Sequence, residues 1–315
     1  MIVPRHYENL HLLHENTMPH RAYYIPASKA QFDLTQEREK SDRFFLLNGN
    51  WKFHYYDSIY DVKEEFFQEG FDTSRFDEIP VPGCFQNYGY DKHQYTNTRY
   101  PFPMDPPYVP AENPCGAYVH HFVYKREEDA PRAYLNFEGV DSCFYVWLNG
   151  SYVGYSQVSH GTSEFDVTGL IREGDNTLSV LVLKWCDGSY LEDQDKFRMT
   201  GIFRDVYLLK RPEESIFDYF LTTTIGNNQA HVQAAITFSG KEIPVKVTVT
   251  DRDGNTVASK EGYPVDGKIE FDIENPVLWN AENPYLYTVM FETGQEVIVD
   301  RLGIREIAIR DGVVY

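Results

Sequence analysis

Features that are absent from the 315-residue sequence exclude several classes of protein. No run of about 18 apolar residues could cross a membrane as a helix, and the N-terminal stretch MIVPRHYENLHLLHEN has neither the basic start nor the apolar core of a secretion signal. Basic residues are few, with 29 Lys and Arg against 48 Asp and Glu, and the formal net charge of −19 would repel a polyanion. We therefore expect a cytoplasmic protein that binds neither nucleic acid nor membranes.

Cysteine and the common catalytic motifs are also scarce. The four cysteines show neither close pairing nor zinc-finger spacing, which is typical of free thiols in a reducing compartment; they are Cys84, Cys115, Cys143 and Cys186. The histidines form no HxxxH or HxH pair, which disfavours zinc, and the sequence contains no Gly-rich phosphate loop and no GxSxG motif. These absences give no support to a zinc enzyme, a nucleotide-binding protein or a serine hydrolase.

Short alternating strands, by contrast, are abundant. Aromatic residues make up 16% of the chain, with 24 Tyr and 21 Phe, and this composition favours β-structure. Asn149-Gly150 and Asp253-Gly254 each lie between alternating apolar runs, which is the pattern of a tight β-hairpin. Only DVKEEFFQE, around residues 61–69, has helix-like character. The pattern predicts an all-β fold.

The strand pattern also predicts the domain organisation. Residues 1–43 have no sustained periodicity and are interpreted as an N-terminal arm, and residues 44–211 as a jelly-roll β-sandwich. A polar RPEES linker precedes a second strand series that starts at Ile216, and we interpret residues 212–308 as an immunoglobulin-like β-sandwich. Residues 309–315 resemble a hairpin whose return strand is cut short, so we interpret the chain as a piece of a larger protein.

An acidic segment, WCDGSYLEDQDKFRMTGIFRDV (Trp185–Val206), directly follows the most apolar run of the chain, LSVLVLKW. It places four carboxylates within nine residues, namely Asp187, Glu192, Asp193 and Asp195. Two interpretations stay open from pattern alone: a solvated acidic loop, or a partly buried polar network that needs a cation such as sodium, calcium or magnesium. By number the acids could also supply the two carboxyl groups of glycoside hydrolysis.

A second unusual segment, rich in Pro and Tyr, runs from Pro80 to Gly116. A loop of this length inside a compact domain usually has a function. Its YTNTRYP stretch combines aromatic rings, which stack on the apolar face of a pyranose, with polar side chains that bind hydroxyl groups. We interpret Tyr95 and Tyr100 as packing residues and Asn97 as the better candidate for a sugar contact.

Five stretches of the sequence resemble a known family in order and spacing. They are LNGNWKF, YTNTRYPFPMDPPYVPAENPCGAY, FEGVDSCFYVWLNGSYVGYSQ, KWCDGSYLEDQDKFRMTGIFRDVYL and ENPVLWNAENPYLY. Together they resemble the N-terminal part of bacterial β-galactosidases of glycoside hydrolase family 2, from about Tyr7 to the last residue. DGSYLEDQD separates the β-galactosidases from the glucuronidases and mannosidases of the family. The resemblance implies an arm, a jelly-roll sugar-binding domain and an immunoglobulin-like domain, followed by a TIM barrel that carries both catalytic glutamates. We therefore expect no catalytic residue in this chain.

The resemblance also implies roles for individual residues. Asn97 would hydrogen-bond the substrate, and Asp195 would bind both a galactose hydroxyl and a sodium ion whose other ligands come from the barrel. A second, structural magnesium site would use Asn9, Gln157 and Asp187. His6 stands where the family has an acidic arm ligand, so the sequence departs from the pattern at that site. Sodium and magnesium are thus expected in the complete enzyme, and neither is expected to be held firmly by this chain alone.

The resulting hypothesis is that the chain is the non-catalytic N-terminal part of a retaining β-galactosidase, which hydrolyses terminal β-D-galactosyl bonds such as that of lactose. The complete enzyme would be a homo-oligomer that assembles partly through the arm. The alternative is a stand-alone carbohydrate-binding or assembly subunit that works with a separate catalytic chain. A weaker alternative, an adhesion module, is disfavoured by the unfinished hairpin and by the N-terminal sequence.

Overall fold

The computed structural model describes residues 2–30, 34–97, 99–192 and 195–314. Within these ranges the secondary structure consists of β-strands and short 3₁₀ helices without an α-helix, which confirms the predicted all-β class. The 3₁₀ helices are His6–Glu8, Arg38–Lys40, Ile59–Asp61, Phe85–Tyr88 and Asp187–Tyr190. No helix in the described part of the chain combines the length and apolarity needed to span a bilayer.

The chain forms two compact units. The first contains Met1–His20, Leu46–Glu127 and Arg132–Leu209, and the second contains Arg21–Phe45, Glu128–Pro131 and Lys210–Tyr315. The strands of the first unit, some of which continue into the second, are β1 (His14–Glu15), β2 (Phe44–Leu46), β3 (Gly49–Tyr56), β4 (Asp77–Val81), β5 (Gly83–Cys84), β6 (Tyr95–Thr96), β7 (Cys115–Tyr124), β8 (Arg132–Phe137), β9 (Val140–Asp141), β10 (Cys143–Leu148), β11 (Ser151–Gln157), β12 (Ser163–Asp166), β13 (Gly174–Leu183), β14 (Lys196–Phe197), β15 (Gly201–Ile202) and β16 (Val206–Arg211).

The first unit is a β-sandwich. Its larger sheet has the order β1-β11-β10-β13-β7-β3-β4, and its smaller sheet the order β12-β8-β16-β2. The sheets meet through aromatic rings, since Phe144 of β10 lies 4.9 Å from Phe137 and 6.3 Å from Phe165 between ring centroids. The opposite face of the larger sheet is covered by the first residues of the chain, including the buried Tyr7, and by connecting segments. β10 is buried along its whole length because both of its faces are covered.

The predicted hairpin turn at Asn149-Gly150 joins β10 to β11, with φ of 53° and 77° at the two turn residues. The helix-like stretch at 61–69 contains no α-helix, because a 3₁₀ helix ends at Asp61 and turns follow. Phe66 and Phe67 explain the difference. Both are buried and pack against Trp147, whereas adjacent residues of a helix point about 100° apart and could not both face it.

The second unit is a smaller β-sandwich. Its strands are β17 (Ser215–Gly226), β18 (Gln229–Ser239), β19 (Val245–Thr250), β20 (Thr256–Gly262), β21 (Lys268–Glu274), β22 (Tyr287–Glu292), β23 (Val297–Leu302), β24 (Ile309–Arg310) and β25 (Val313–Val314). The sheets have the orders β17-β18-β21 and β20-β19-β22-β23, and β24 pairs with β25 in a separate hairpin. This unit contains a buried ion pair: Arg211 donates to Glu296 at 3.0 and 2.8 Å and to the Tyr24 hydroxyl at 3.0 Å.

Candidate functional site

Two segments that are far apart in sequence form what we call the loop ribbon, Gly83–Asn97 paired with Asp195–Ile202. At its base β5 pairs with β15, and at its tip β6 pairs with β14. Between these short ladders the Phe85 amide donates to the Thr200 carbonyl at 2.9 Å, and the Arg198 amide donates to the Gln94 carbonyl at 2.7 Å. The ribbon joins the Tyr-rich loop to the acidic segment.

The tip of the ribbon brings the two predicted sugar contacts together. In the register of the tip, Thr96 lies opposite Lys196. Because the strands are antiparallel, Asn97 and Asp195 occupy the next pair of positions beyond this ladder. Both residues are exposed. The site therefore presents a side-chain amide and a carboxylate on adjacent strands, both open to solvent.

Tyr95 contacts this site in a way that differs from the sequence interpretation. Its ring is 49% exposed rather than packed in a core, and its hydroxyl donates a hydrogen bond to Oδ1 of Asp195. That bond to a carboxylate raises the pKa of the Tyr95 hydroxyl above its ordinary value. The interpretation of Tyr95 as a packing residue is wrong in this respect. Phe197, opposite Tyr95 in the ladder, lies 5.7 Å away between ring centroids.

A polar network lies beneath the ribbon. Lys184 at the end of the apolar run is only 4% exposed, and its Nζ donates to Oδ2 of Asp91 at 2.5 Å. Gln86 donates to the same oxygen at 3.0 Å and to the Thr200 hydroxyl at 3.1 Å, and it accepts from the Thr200 amide at 2.8 Å. The network ties both segments of the ribbon to the end of β13. Sequence analysis missed it, although a lysine at the end of a buried strand signals the need for a partner.

The other acids of the acidic segment have separate contacts. Glu192 accepts hydrogen bonds from the amide and hydroxyl of Ser159 at 3.0 and 2.6 Å, and its carbonyl accepts from Arg198 at 2.6 Å. Asp187 is buried. Asp193 lies outside the described residues. In the part of the segment that is described, Asp195 alone is an exposed carboxylate, so the segment is not a uniformly solvated acidic loop.

The predicted magnesium ligands also lie near one another. Burial raises the pKa of the Asp187 carboxyl group, and polar groups of the Gln157 side chain and the Asn9 backbone oppose this shift. Its Oδ1 accepts from the Gly188 amide at 3.0 Å, while its buried Oδ2 has no hydrogen-bond partner among the described residues.

Two observations bear on whether these residues suit magnesium. Carboxylate and amide oxygens are ligands that magnesium accepts, and an orphaned buried carboxylate oxygen fits a cation. His6 does not extend this set, because its Nε2 lies 3.2 Å from Oε2 of Glu15. Among the described residues no group of three or more His, Cys, Asp and Glu has the arrangement of a metal site. The donors present are therefore one acid and two amide residues.

Comparison with known proteins identifies the family. Residues 44–212 match the model described as "Glycosyl hydrolases family 2, sugar binding domain", and residues 214–305 match "Glycosyl hydrolases family 2". The chain belongs to glycoside hydrolase family 2. It is 45% identical over 316 residues to a β-galactosidase of Actinobacillus pleuropneumoniae, covering 100% of this chain and 30% of that protein. With a β-galactosidase of Staphylococcus xylosus it shares 42% identity over 318 residues, covering 100% of this chain and 31% of the relative.

Two solved structures of β-glucuronidases share the fold. An apo β-glucuronidase from Ruminococcus gnavus superimposes with a TM-score of 0.67 at 20% identity, over 86% of this chain and 47% of that one. A β-glucuronidase from an uncultured Clostridium species gives a TM-score of 0.66 at 22% identity, over 85% and 45% of the two chains. At this identity the likeness concerns the fold alone. The chain spans about a third of the length of the curated family 2 relatives above.

Proposed function

We propose that this family 2 chain is the non-catalytic N-terminal part of a retaining β-galactosidase that hydrolyses terminal β-D-galactosyl bonds of the lactose type. In this proposal the ribbon tip contributes Asn97 and Asp195 to the galactose subsite. The single observation that supports it best is the register at the tip, where Thr96 opposite Lys196 puts these two residues on adjacent positions. Relatives that bear the name β-galactosidase and match the whole chain support the choice of sugar.

The chemistry of the tip is that of binding. The Tyr95 hydroxyl occupies Oδ1 of Asp195, which leaves Oδ2 to accept a hydrogen bond from a sugar hydroxyl. The amide of Asn97 can both donate to and accept from a neighbouring hydroxyl. Glycoside cleavage with retention needs two carboxyl groups about 5–5.5 Å apart. Asp187 and Glu192 are engaged away from the tip, so Asp195 is proposed as a binding residue and not as a nucleophile.

The ions belong to the same proposal. Asp195 would supply one carboxylate oxygen to a sodium ion. The positive charge of this ion would attract hydroxyl oxygens of galactose. Asn9, Gln157 and Asp187 would hold a structural magnesium ion, which would satisfy Oδ2 of Asp187 and tie the first residues of the chain to β11. Neither ion takes part in bond cleavage in this proposal.

The decisive experiment compares Asp195→Asn with Asp175→Asn, an exposed acid on β13, in the full-length enzyme. A hydrogen bond to a charged group contributes about 1.5–3 kcal/mol, so Asp195→Asn should lower kcat/KM for lactose by about 10- to 150-fold and weaken the activation by sodium. The control should leave both unchanged. Unchanged kinetics and sodium dependence in Asp195→Asn would reject its assigned role.

The alternative of a stand-alone binding subunit is tested with the chain itself. Incubation with an aryl β-galactoside should give no turnover above buffer, and calorimetry with galactose should show weak or no binding. Turnover would show that a catalytic pair lies within the chain, and micromolar affinity would favour the stand-alone module.

The proposal also includes homo-oligomeric assembly, which light scattering of the full-length enzyme can test. It further includes a cytoplasmic location, which suits the four free cysteines.

A further inference from the structure

The edge of the second unit contains an open groove of about 820 Å³. It lies between β17 and β23, each of which is the outermost strand of its sheet. Its lining includes Tyr219–Thr224 on one side, Asp300–Gly303 on the other, and Arg305–Ala308 from the segment that follows β23. The groove thus lies at an open edge between the two sheets of this sandwich.

The backbone of β17 faces this groove with unused hydrogen-bonding groups. Asn227 and Asn228 form a two-residue turn with φ of 51° and 61°, which makes Gly226 and Gln229 a hydrogen-bonded pair. Counting back from Gly226, every second residue of β17 therefore directs its backbone amide and carbonyl groups to β18. The amide of Ile225 points away from β18 and donates to Oε1 of Glu306 at 2.6 Å. By the same alternation the amides of Leu221 and Thr223 point into the groove, and neither amide has an acceptor among the described residues.

This edge lacks the protection that exposed strands usually have. The eight residues YFLTTTIG, Tyr219–Gly226, contain no charge and no proline. Phe220 is 69% exposed, and Leu221 and Ile225 are only partly buried against the core. Natural proteins cover such an edge or place lysine or proline in it, because a bare one recruits other strands. Glu306 covers the end of the strand, but the middle is open.

We infer that the groove along β17 is covered in the full-length protein by an extended segment of the same polypeptide from beyond Tyr315, which pairs with Leu221 and Thr223 as an added strand. The inference rests on the proposed function in one respect, that the full protein continues past this residue, as do relatives of which the chain covers 30–31%. The chain itself already leads along the groove, since the Arg305 carbonyl accepts from the Thr223 hydroxyl at 2.6 Å. The seven residues after Ala308, which end at Tyr315, span at most about 25 Å, so the following segment is tethered beside the groove at high effective concentration.

Residue-resolved hydrogen exchange tests this pairing. The amides of Leu221 and Thr223 should exchange on the order of 100-fold more slowly in the full-length protein than in the chain 1–315. The amides of Thr222 and Thr224, which face β18, serve as internal controls and should be protected in both. Fast exchange of Leu221 and Thr223 in the full-length protein would overturn the inference. Protection that appears in the chain 1–315 and grows with its concentration would also overturn it, because the occupant would then be a second copy.

A pair of variants decides the matter if the chain 1–315 does not fold, which unprotected Thr222 and Thr224 amides would reveal. In the full-length protein Leu221→Lys places a charge in the groove and should speed exchange at Thr223 at least about 10-fold, whereas Thr222→Lys, on the exposed outer face, should not. Equal exchange in both variants would overturn the inference. Lactose hydrolysis by the same samples separates this inference from the proposed function. If the enzyme is active but the amides of Leu221 and Thr223 exchange fast, only the covered groove is refuted. If these amides are protected but Asp195→Asn leaves the kinetics unaltered, only the proposed galactose subsite is refuted.

Discussion

Removing the carboxylate of Asp91 should be among the most destabilising single changes in the first unit. The side chain of Asp91 is 11% exposed and that of Lys184 is 5% exposed, and their charged atoms lie 2.5 Å apart. Asp91→Asn keeps the shape but leaves a buried ammonium group without a counter-charge, which typically costs about 3–5 kcal/mol. The ring of Trp185, 5.2 Å from Nζ of Lys184, offers partial compensation. We therefore expect a loss near the lower limit, about 3 kcal/mol.

The matched double variant separates the ion pair from the rest of the network. Asp91→Asn combined with Lys184→Met removes both charges, and replacing a buried pair by apolar groups is often nearly neutral. The double variant should recover to within about 1 kcal/mol of the parent. The coupling energy is then at least about 2 kcal/mol, since the cost of Lys184→Met alone adds to it. As a control for ion pairs in general, Glu69→Gln breaks a pair with Arg172 in which the side chains are 52% and 55% exposed. Solvent screens this pair, so the variant should leave the free energy of unfolding nearly unchanged.

Urea denaturation of the chain, followed by tryptophan fluorescence, measures these free energies of unfolding. A loss below about 1 kcal/mol for Asp91→Asn, or additive effects in the double variant, would refute the claim that this pair is buried and coupled. In the full-length enzyme Asp91→Asn should also lower kcat/KM, because Asp91 lies in the ribbon that carries Asn97. A stability loss with unchanged kinetics would show that the network supports the fold without positioning the tip.

Three further predictions concern other parts of the first unit. Burial lowers the pKa of His120 to about 4, so the unfolded chain binds more protons than the folded chain between that pH and 6.5. The full shift corresponds to about 3.4 kcal/mol, and because solvent screens this partly exposed ring, the free energy of unfolding should fall by about 2 kcal/mol as pH drops through this window. His120→Phe, which keeps the stacking on Trp51 at 4.7 Å, should flatten the profile; an equally steep loss in the variant would contradict this assignment. Magnesium at about 100 times its Kd should add about 2.7 kcal/mol to the free energy of unfolding and so raise the melting temperature. Asp187→Asn should abolish this rise in melting temperature; a rise that persists in the variant would place the ion elsewhere. Gly154→Ala should detach β1 and expose the first 20 residues to proteolysis, since its new Cβ would lie 2.3 Å from the Glu15 carbonyl oxygen; unchanged digestion would show that the strand can shift.

The parts of the fold that sequence predicted well are those governed by local rules. Asn149-Gly150 lies at a hairpin turn because both positions need positive φ, and this requirement can be recognised from two residues alone. The run LSVLVLKW predicted a strand apolar on both faces, and β13 is buried on both faces from Val180 to Leu183. The helix-like stretch at 61–69 failed for the complementary reason. Its local pattern was outweighed by the burial of Phe66 and Phe67 against the sheet.

The candidate site was harder to predict because its contacts join distant positions. Asp91 and Lys184 are separated by 93 residues, and Tyr95 and Asp195 by 100, so neither pair has a local signature. The motif resemblance selected Asn97 and Asp195, but it gave no reason for their proximity. That reason is the pairing of β6 with β14, which depends on the register of two-residue strands. Alternation over so short a length carries too little pattern to be recognised in a sequence.

The distribution of charge in the acidic segment indicates which acid is available to a ligand. Glu192 has both oxygens engaged by Ser159, so a ligand would have to break two hydrogen bonds to reach it. Asp187 has a free oxygen, but that oxygen is buried and accessible only to something as small as an ion. Asp195 is exposed, and Tyr95 holds one of its oxygens while the other is open to solvent. A carboxylate oriented in this way loses little conformational entropy on binding a hydroxyl group. Tyr95→Phe should therefore lower the kcat/KM of the full-length enzyme for galactosides by about 2- to 10-fold, without changing the free energy of unfolding. An unaltered kcat/KM would show that the sugar and its ion orient Asp195 without help from this hydroxyl.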